Sequence, residues 1–124
     1  MWIGYIFIDL RSQSLLRRSR MKRIQISEIE DGMRELIVEG TVVEKGEPKT
    51  VQTRYGPAQL AYAIIDDGTG QIKLNLWRKQ IDLVKVGARI RVENAFAKEF
   101  RGQVELNVGS NGRIVVLDKS GPST

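Results

Sequence analysis

Between Gln71 and Trp77 the apolar residues Ile72, Leu74 and Leu76 alternate strictly with Gln71, Lys73, Asn75 and Trp77. Successive strand side chains point to opposite faces, so this run is a β-strand with one buried and one open face. The alternation puts Trp77 in the polar phase, beside Lys73. A tryptophan there is either covered by another element or is a contact surface.

The flanking segments follow the same logic. Leu36 to Val43 is β-rich, and Gly40 within it predicts a bulge or sharp bend of the kind a tightly coiled barrel needs. Gly46-Glu47-Pro48 interrupts that strand and Thr50 to Arg54 resumes it, with a turn expected at Tyr55-Gly56-Pro57. Ala58 to Asp66 is the second strand, closed by the hairpin connection Asp67-Gly68-Thr69-Gly70. After the third strand, Arg78 to Lys85 reads as a short helix stopped by Gly87. Ala88 to Phe96 is the fourth strand, Ala97 to Gly102 a loop holding Lys98 and Phe100, and Gln103 to Val108 the fifth strand. Arg113 to Asp118 adds a short closing strand. Ser27-Glu28-Ile29-Glu30 has the spacing of a capping box for about one helical turn. The chain is therefore all-β: five short strands with a short helix between strands three and four, the order of an OB-fold barrel.

Chemistry is narrowed by what is missing. There are no cysteines and no histidines, which removes disulfides, the usual zinc ligands and the commonest general base. Asp66-Asp67 is the one tempting carboxylate pair, but neighbours on a strand face opposite ways and Asp before Gly is ordinary turn chemistry. No enzyme, cofactor or metal is expected, and packing without disulfides fits a cytoplasmic setting.

The net charge of +5 is unevenly spread. Residues 1–23 account for +5 themselves, residues 24–72 carry −5, and residues 73–101 carry +5. The last of these holds Lys73, Arg78, Lys79, Lys98 and Arg101 among the aromatics Trp77, Phe96 and Phe100. Cations that follow phosphates, interleaved with rings that stack on bases, are what a single-strand nucleic-acid groove requires. Arg54 and Tyr55, at the first hairpin, serve either to close over a strand or simply to turn. Phe96 is a separate case: counted straight along its strand it shares the inward phase of Ile90 and Val92, so it reaches the open face only if the strand bends near Asn94.

Residues 1–20 stand apart from this pattern. An apolar run of about ten residues is half of what spans a bilayer, and its positive charges follow it rather than precede it as in a secretory signal. This N-terminal extension is read as disordered or as a start-site artefact, with the domain over 21–118 and a short flexible tail over 119–124.

The stretches Asp67-Gly68-Thr69-Gly70, Leu74-Asn75-Leu76-Trp77, Glu93-Asn94-Ala95-Phe96 and Phe100 to Gly109 resemble the short archaeal single-OB-fold single-stranded-DNA-binding proteins related to replication protein A. The resemblance implies that Trp77, Phe96 and Phe100 stack on successive bases, which would bring Phe96 to the binding face. It implies protection of single-stranded DNA in replication, recombination and repair; a monomer is expected, and replication or repair proteins are the expected protein partners, though not through the long C-terminal tail that relatives often carry. The alternatives are an OB-fold protein for tRNA or structured RNA, and a protein-interaction OB subunit.

Overall fold

A computed structural model describes residues 21–118; the expectations for residues 1–20 and 119–124 lie outside this range. Its strands are β1 (Lys22–Arg23), β2 (Leu36–Lys45), β3 (Lys49–Thr53), β4 (Gly56–Asp66), β5 (Gln71–Trp77), β6 (Arg89–Phe100) and β7 (Gln103–Asp118), with one helix, α1 (Lys79–Leu83), between β5 and β6. The sheet runs β1-β2-β6-β7-β5-β4-β3, and β2 also pairs with β4, which closes a ring through β2, β6, β7, β5 and β4. Those five strands, with the helix after the third, are the expected OB-fold arrangement. Strand β3 extends β4 as a hairpin outside the ring.

The ring closes around the apolar phase of its strands. Leu36, Val38 and Val42 of β2, Ala61, Ala63 and Ile65 of β4, and Ile72, Leu74 and Leu76 of β5 are all buried, with Ile90 and Val92 of β6 and Leu106 of β7. Each such Val, Leu or Ile side chain contributes roughly 1.5–3 kcal/mol on leaving water. Ile81 of α1 and Val84 just beyond it join the same core.

Several local expectations change. The turn at the first hairpin is Arg54-Tyr55, with β4 restarting at Gly56 rather than Ala58. The expected capping box is a single 3-10 turn over Ile26–Glu28 without a side-chain cap. That turn is tied down from elsewhere: Asp67 Oδ2 accepts from Ile26 N at 2.9 Å, and Thr69 Oγ1 accepts from Ser27 N at 3.1 Å. Gly40 marks no bulge. The register shifts flank it, between Leu36 and Val38 against β6 and between Val42 and Glu44 against β4. A Cβ at Gly40 would lie 3.1 Å from Asp66 O, so glycine lets β2 pass close to β4 as it changes partners.

The largest change concerns β6. Ala97 to Phe100 is strand rather than loop, and the connection shrinks to Arg101-Gly102, both with positive φ (53° and 82°). Such a two-residue turn matches the twist of the strands it joins. The helix also starts one residue later than expected, because Arg78 has φ 53°. Its N–H donates to Gln59 O at 3.0 Å, while Trp77 N–H donates to Gln80 Oε1 at 2.8 Å.

Candidate nucleic-acid interface

The outward phases of four strands meet on one wall of the ring. On β4 and β5 the outward pairs are Leu60 with Trp77, Tyr62 with Asn75, and Ile64 with Lys73. Strand β7 enters beside β5 in parallel, with Glu105 opposite Lys73. Strand β6 then places Phe96 opposite Asn107, Lys98 opposite Glu105 and Phe100 opposite Gln103. Directly paired residues share a face, so the three aromatics singled out in the sequence lie on one surface.

Phe96 gets there through an irregularity. Asn94 has φ 55°, and the β6–β7 register shifts between Glu93 and Ala95. The extra residue resets the alternation: Ile90 and Val92 are inward before it, Ala95 and Ala97 after it. Strand β7 answers with an excursion over 109–112 that packs on this corner, and a Cβ at Gly112 would sit 2.5 Å from Glu93 O and 2.8 Å from Asn94 O. Phe96 is therefore outward and half-buried.

A groove of about 410 Å³ runs along the wall, lined by Trp77, Phe100, Lys73, Tyr62, Asn75 and Asn107 among others. Phe100 is 56% exposed, an unusual cost for a ring unless something covers it, and Arg101 lies over it at 5.1 Å. Phe96 lines a different hollow, at the Asn94 corner. Strand β3 supplies the far side through Lys49 and Val51.

The cations divide into two kinds. Lys73 Nζ lies 5.0 Å from the centroid of Tyr62 and 3.7 Å from Glu105 Oε2, so a carboxylate and a ring already surround it. Among the described residues, no carboxylate lies within ion-pair distance of Lys49, Lys98 or Arg101. Arg78 and Lys79 follow Trp77 in sequence but line a separate hollow with Pro57, Gln59 and Ile81. Arg54 and Tyr55 stand at the tip of the β3–β4 hairpin, with Tyr55 85% exposed. The structure thus gathers Trp77, Phe96, Phe100, Lys73, Lys98 and Arg101 on one wall, and places Arg78, Lys79, Arg54 and Tyr55 around its margins.

Tyr62, Asn75, Glu105, Asn107 and Lys49 belong to the wall and were not singled out. The phase argument that found Trp77 also finds Tyr62, since Ala61, Ala63 and Ile65 are its buried neighbours. Tyr62 is a wall rather than a platform: Lys73 sits over its ring, and a Cβ at Gly46 would fall 2.1 Å from its Cε1. Its hydroxyl donates to Glu44 Oε2 at 2.7 Å, and that carboxylate holds the phenol above the usual tyrosine range.

The carboxylate pair of the second hairpin performs turn chemistry. Asp66 accepts from Gln71 Nε2 and Gly68 N, which lowers its pKa. Burial acts to raise that of Asp67, but hydrogen bonds from Thr69 and Ile26 outweigh it and leave the group below its ordinary value.

Residues 32–116 match the family described as single-stranded DNA binding protein Ssb-like, OB fold. The chain is 34% identical over 97 residues to the single-stranded DNA binding protein Ssb of Saccharolobus solfataricus, covering 78% of this chain and 66% of that one. It is 30% identical over 102 residues to replication factor A of Methanothermobacter thermautotrophicus, covering 79% of this chain but 13% of that one. The chain therefore spans just under two thirds of the first relative and a small part of the second. The solution structure of a replication factor A related protein from Methanobacterium thermoautotrophicum superposes with a TM-score of 0.66 at 30% identity, over 78% of this chain and 92% of that one.

Proposed function

This chain belongs to the Ssb-like OB-fold family of single-stranded DNA binding proteins, and from that premise we propose that it binds single-stranded DNA by stacking bases on Trp77, Phe96 and Phe100. The observation that carries this reading is the convergence of three outward rings from β5 and β6 on one grooved wall. A ring stacks on any base, so such a surface tolerates sequence. Among the described residues Lys98, Arg101 and Lys49 have no carboxylate to displace, and they are placed to follow phosphates along the rim, while Arg78, Lys79, Arg54 and Tyr55 can extend the path at either end. Lys73 contributes less, because Glu105 already meets its charge. The role is protective binding during replication, recombination and repair, without catalysis, in the cytoplasm and alongside other replication proteins.

The test is anisotropy of labelled oligo-dT at two salt concentrations, with wild type and Trp77→Ala. Stacking is worth about 1–3 kcal/mol per base, so the substitution weakens binding roughly tenfold or more. Unchanged affinity in a folded variant would remove Trp77 from the site. A strong preference for folded RNA over oligo-dT would instead select the RNA-binding alternative.

A further inference from the structure

Beneath the rings, the groove has a polar floor with an incomplete set of partners. Asn75 Nδ2 donates to Glu105 Oε1 at 3.0 Å and to Asn107 Oδ1 at 3.1 Å, linking β5 to β7. Glu105 is only 7% exposed, the one buried charged residue among those described. Its second oxygen, Oε2, has Lys73 Nζ at 3.7 Å, too far for a hydrogen bond. Among the described residues no donor reaches Oε2, Asn75 Oδ1 has no donor, and Asn107 Nδ2 has no acceptor. None of these atoms is sealed from solvent without a partner, and all three residues line the groove. Oε2, Asn75 Oδ1 and Asn107 Nδ2 therefore open onto the groove with unused hydrogen-bonding capacity, which a ligand or water can complete.

Resting on the single-strand binding reading above, we propose that Asn75, Glu105 and Asn107 contact base edges, and that this floor favours bases with an exocyclic amino group, cytosine over thymine. The two pyrimidines are alike in size but differ at position 4, where cytosine carries an amino donor and thymine a carbonyl acceptor. Set against Glu105 Oε2 and Asn75 Oδ1, the amino group finds two acceptors, whereas the carbonyl meets like partial charge. Carboxylate to cytosine amino is an established direct contact in base readout. Asn107 Nδ2 can then donate to the ring N3 or the 2-carbonyl. The stacking rings supply affinity for any base, and the floor adds a bias on top of it.

The experiment compares three labelled oligomers of about 12 nucleotides: oligo-dC, oligo-dT, and an oligomer of 2-pyrimidinone deoxynucleotides, which lack the 4-amino group of cytosine. The wild-type protein binds oligo-dC about tenfold tighter than the 2-pyrimidinone oligomer. In Glu105→Gln the ratio of dC to dT affinity falls by a similar factor, because an amide replaces the carboxylate acceptor that the amino group meets. Oligo-dC and the 2-pyrimidinone oligomer binding equally, or a dC to dT ratio that Glu105→Gln leaves untouched, overturns the assignment and leaves Glu105 as the counter-ion of Lys73 alone. The analogue comparison uses wild-type protein, so it decides even if the variant does not fold. Wild-type protein that binds none of the oligomers removes the single-strand reading itself, a result distinct from tight binding without base bias.

Discussion

Strand β6 carries two unlike surfaces end to end. Before Asn94 its outward residues are Arg89, Arg91 and Glu93; after it they are Phe96, Lys98 and Phe100. The first half is closed upon itself. Glu39 of β2 lies 2.6 Å from Arg23, 3.5 Å from Arg89 and 3.6 Å from Arg91, and Glu93 lies 3.0 Å from Arg91 and 2.8 Å from Arg113. In the second half, among the described residues, no carboxylate claims Lys98. Positive charge alone therefore does not mark a polyanion site. A cation serves a phosphate when its neighbours have not already neutralised it, and a ring serves a base when its strand turns it outward.

The corner between the halves is the point at which breaking the comparison costs most. Gly112→Ala places a methyl group 2.5 Å from Glu93 O and 2.8 Å from Asn94 O, and neither backbone atom can swing aside. Overpacking of this kind costs about 1–3 kcal/mol, read as a lowered midpoint in urea denaturation. The same shift moves Phe96, so affinity for oligo-dT falls as well. Stability and affinity both at wild-type level would show that the corner does not set the position of Phe96.

Phe96→Ala separates the halves without disturbing the corner. Oligo-dT binding weakens by roughly tenfold, at about 1–3 kcal/mol per stacked base, while Arg91→Ala on the other half lowers stability and leaves binding nearly intact. Equal weakening of binding in both variants would erase the distinction. Salt gives a finer measure. For a single strand, each phosphate that the protein no longer neutralises reduces the slope of log K against log salt by about 0.7. Lys98→Ala and Arg101→Ala are expected to flatten it by that amount, whereas Arg89→Ala and Arg113→Ala leave it unchanged.

How far this division is legible in the sequence follows from which rule governs each residue. Trp77 is legible because β5 keeps strict alternation from Gln71 onward. Phe100 stands out for the right reason, its lack of core to join, yet its segment reads as a loop. Nothing local says that β6 continues to it and that Arg101, not a glycine, takes the first left-handed turn position. Phe96 is not legible from alternation, because one residue at Asn94 resets the count and the cause lies across the sheet, in the small residues of the β7 excursion. Arg78 and Lys79 line a hollow of their own beside the helix. Their sequence adjacency to Trp77 suggests a shared surface, but the left-handed backbone at Arg78 turns the chain away from the wall. Glu105 looks like any solvated acid in an alternating strand, and only the approach of β5 beside β7 buries it.

Acid provides the smallest and most selective test. The hydrogen bond from Arg23 holds Glu39 below its ordinary value of 4.5, with burial opposing it and Arg91 and Arg89 assisting; Arg113 and then Arg91 do the same for Glu93. A carboxyl whose folded pKa is depressed stabilises the fold fully above its unfolded value. That contribution disappears as pH falls through the lower folded value, where both states become protonated. Glu93→Gln should therefore be less stable than wild type near neutral pH, and the gap should narrow on the acid side of 4.5. Asp66 and Asp67 also lose stabilisation there, so the informative quantity is the difference between variant and wild type in urea denaturation, not the wild-type curve. Affinity for oligo-dT at neutral pH should be the same for both proteins, because Glu93 and its arginines lie on the half of β6 that the groove does not use. A variant that kept its stability gap at every pH would show that Glu93 acts through packing and not charge, and one with weakened DNA affinity would place the arginine half of the strand in the binding path.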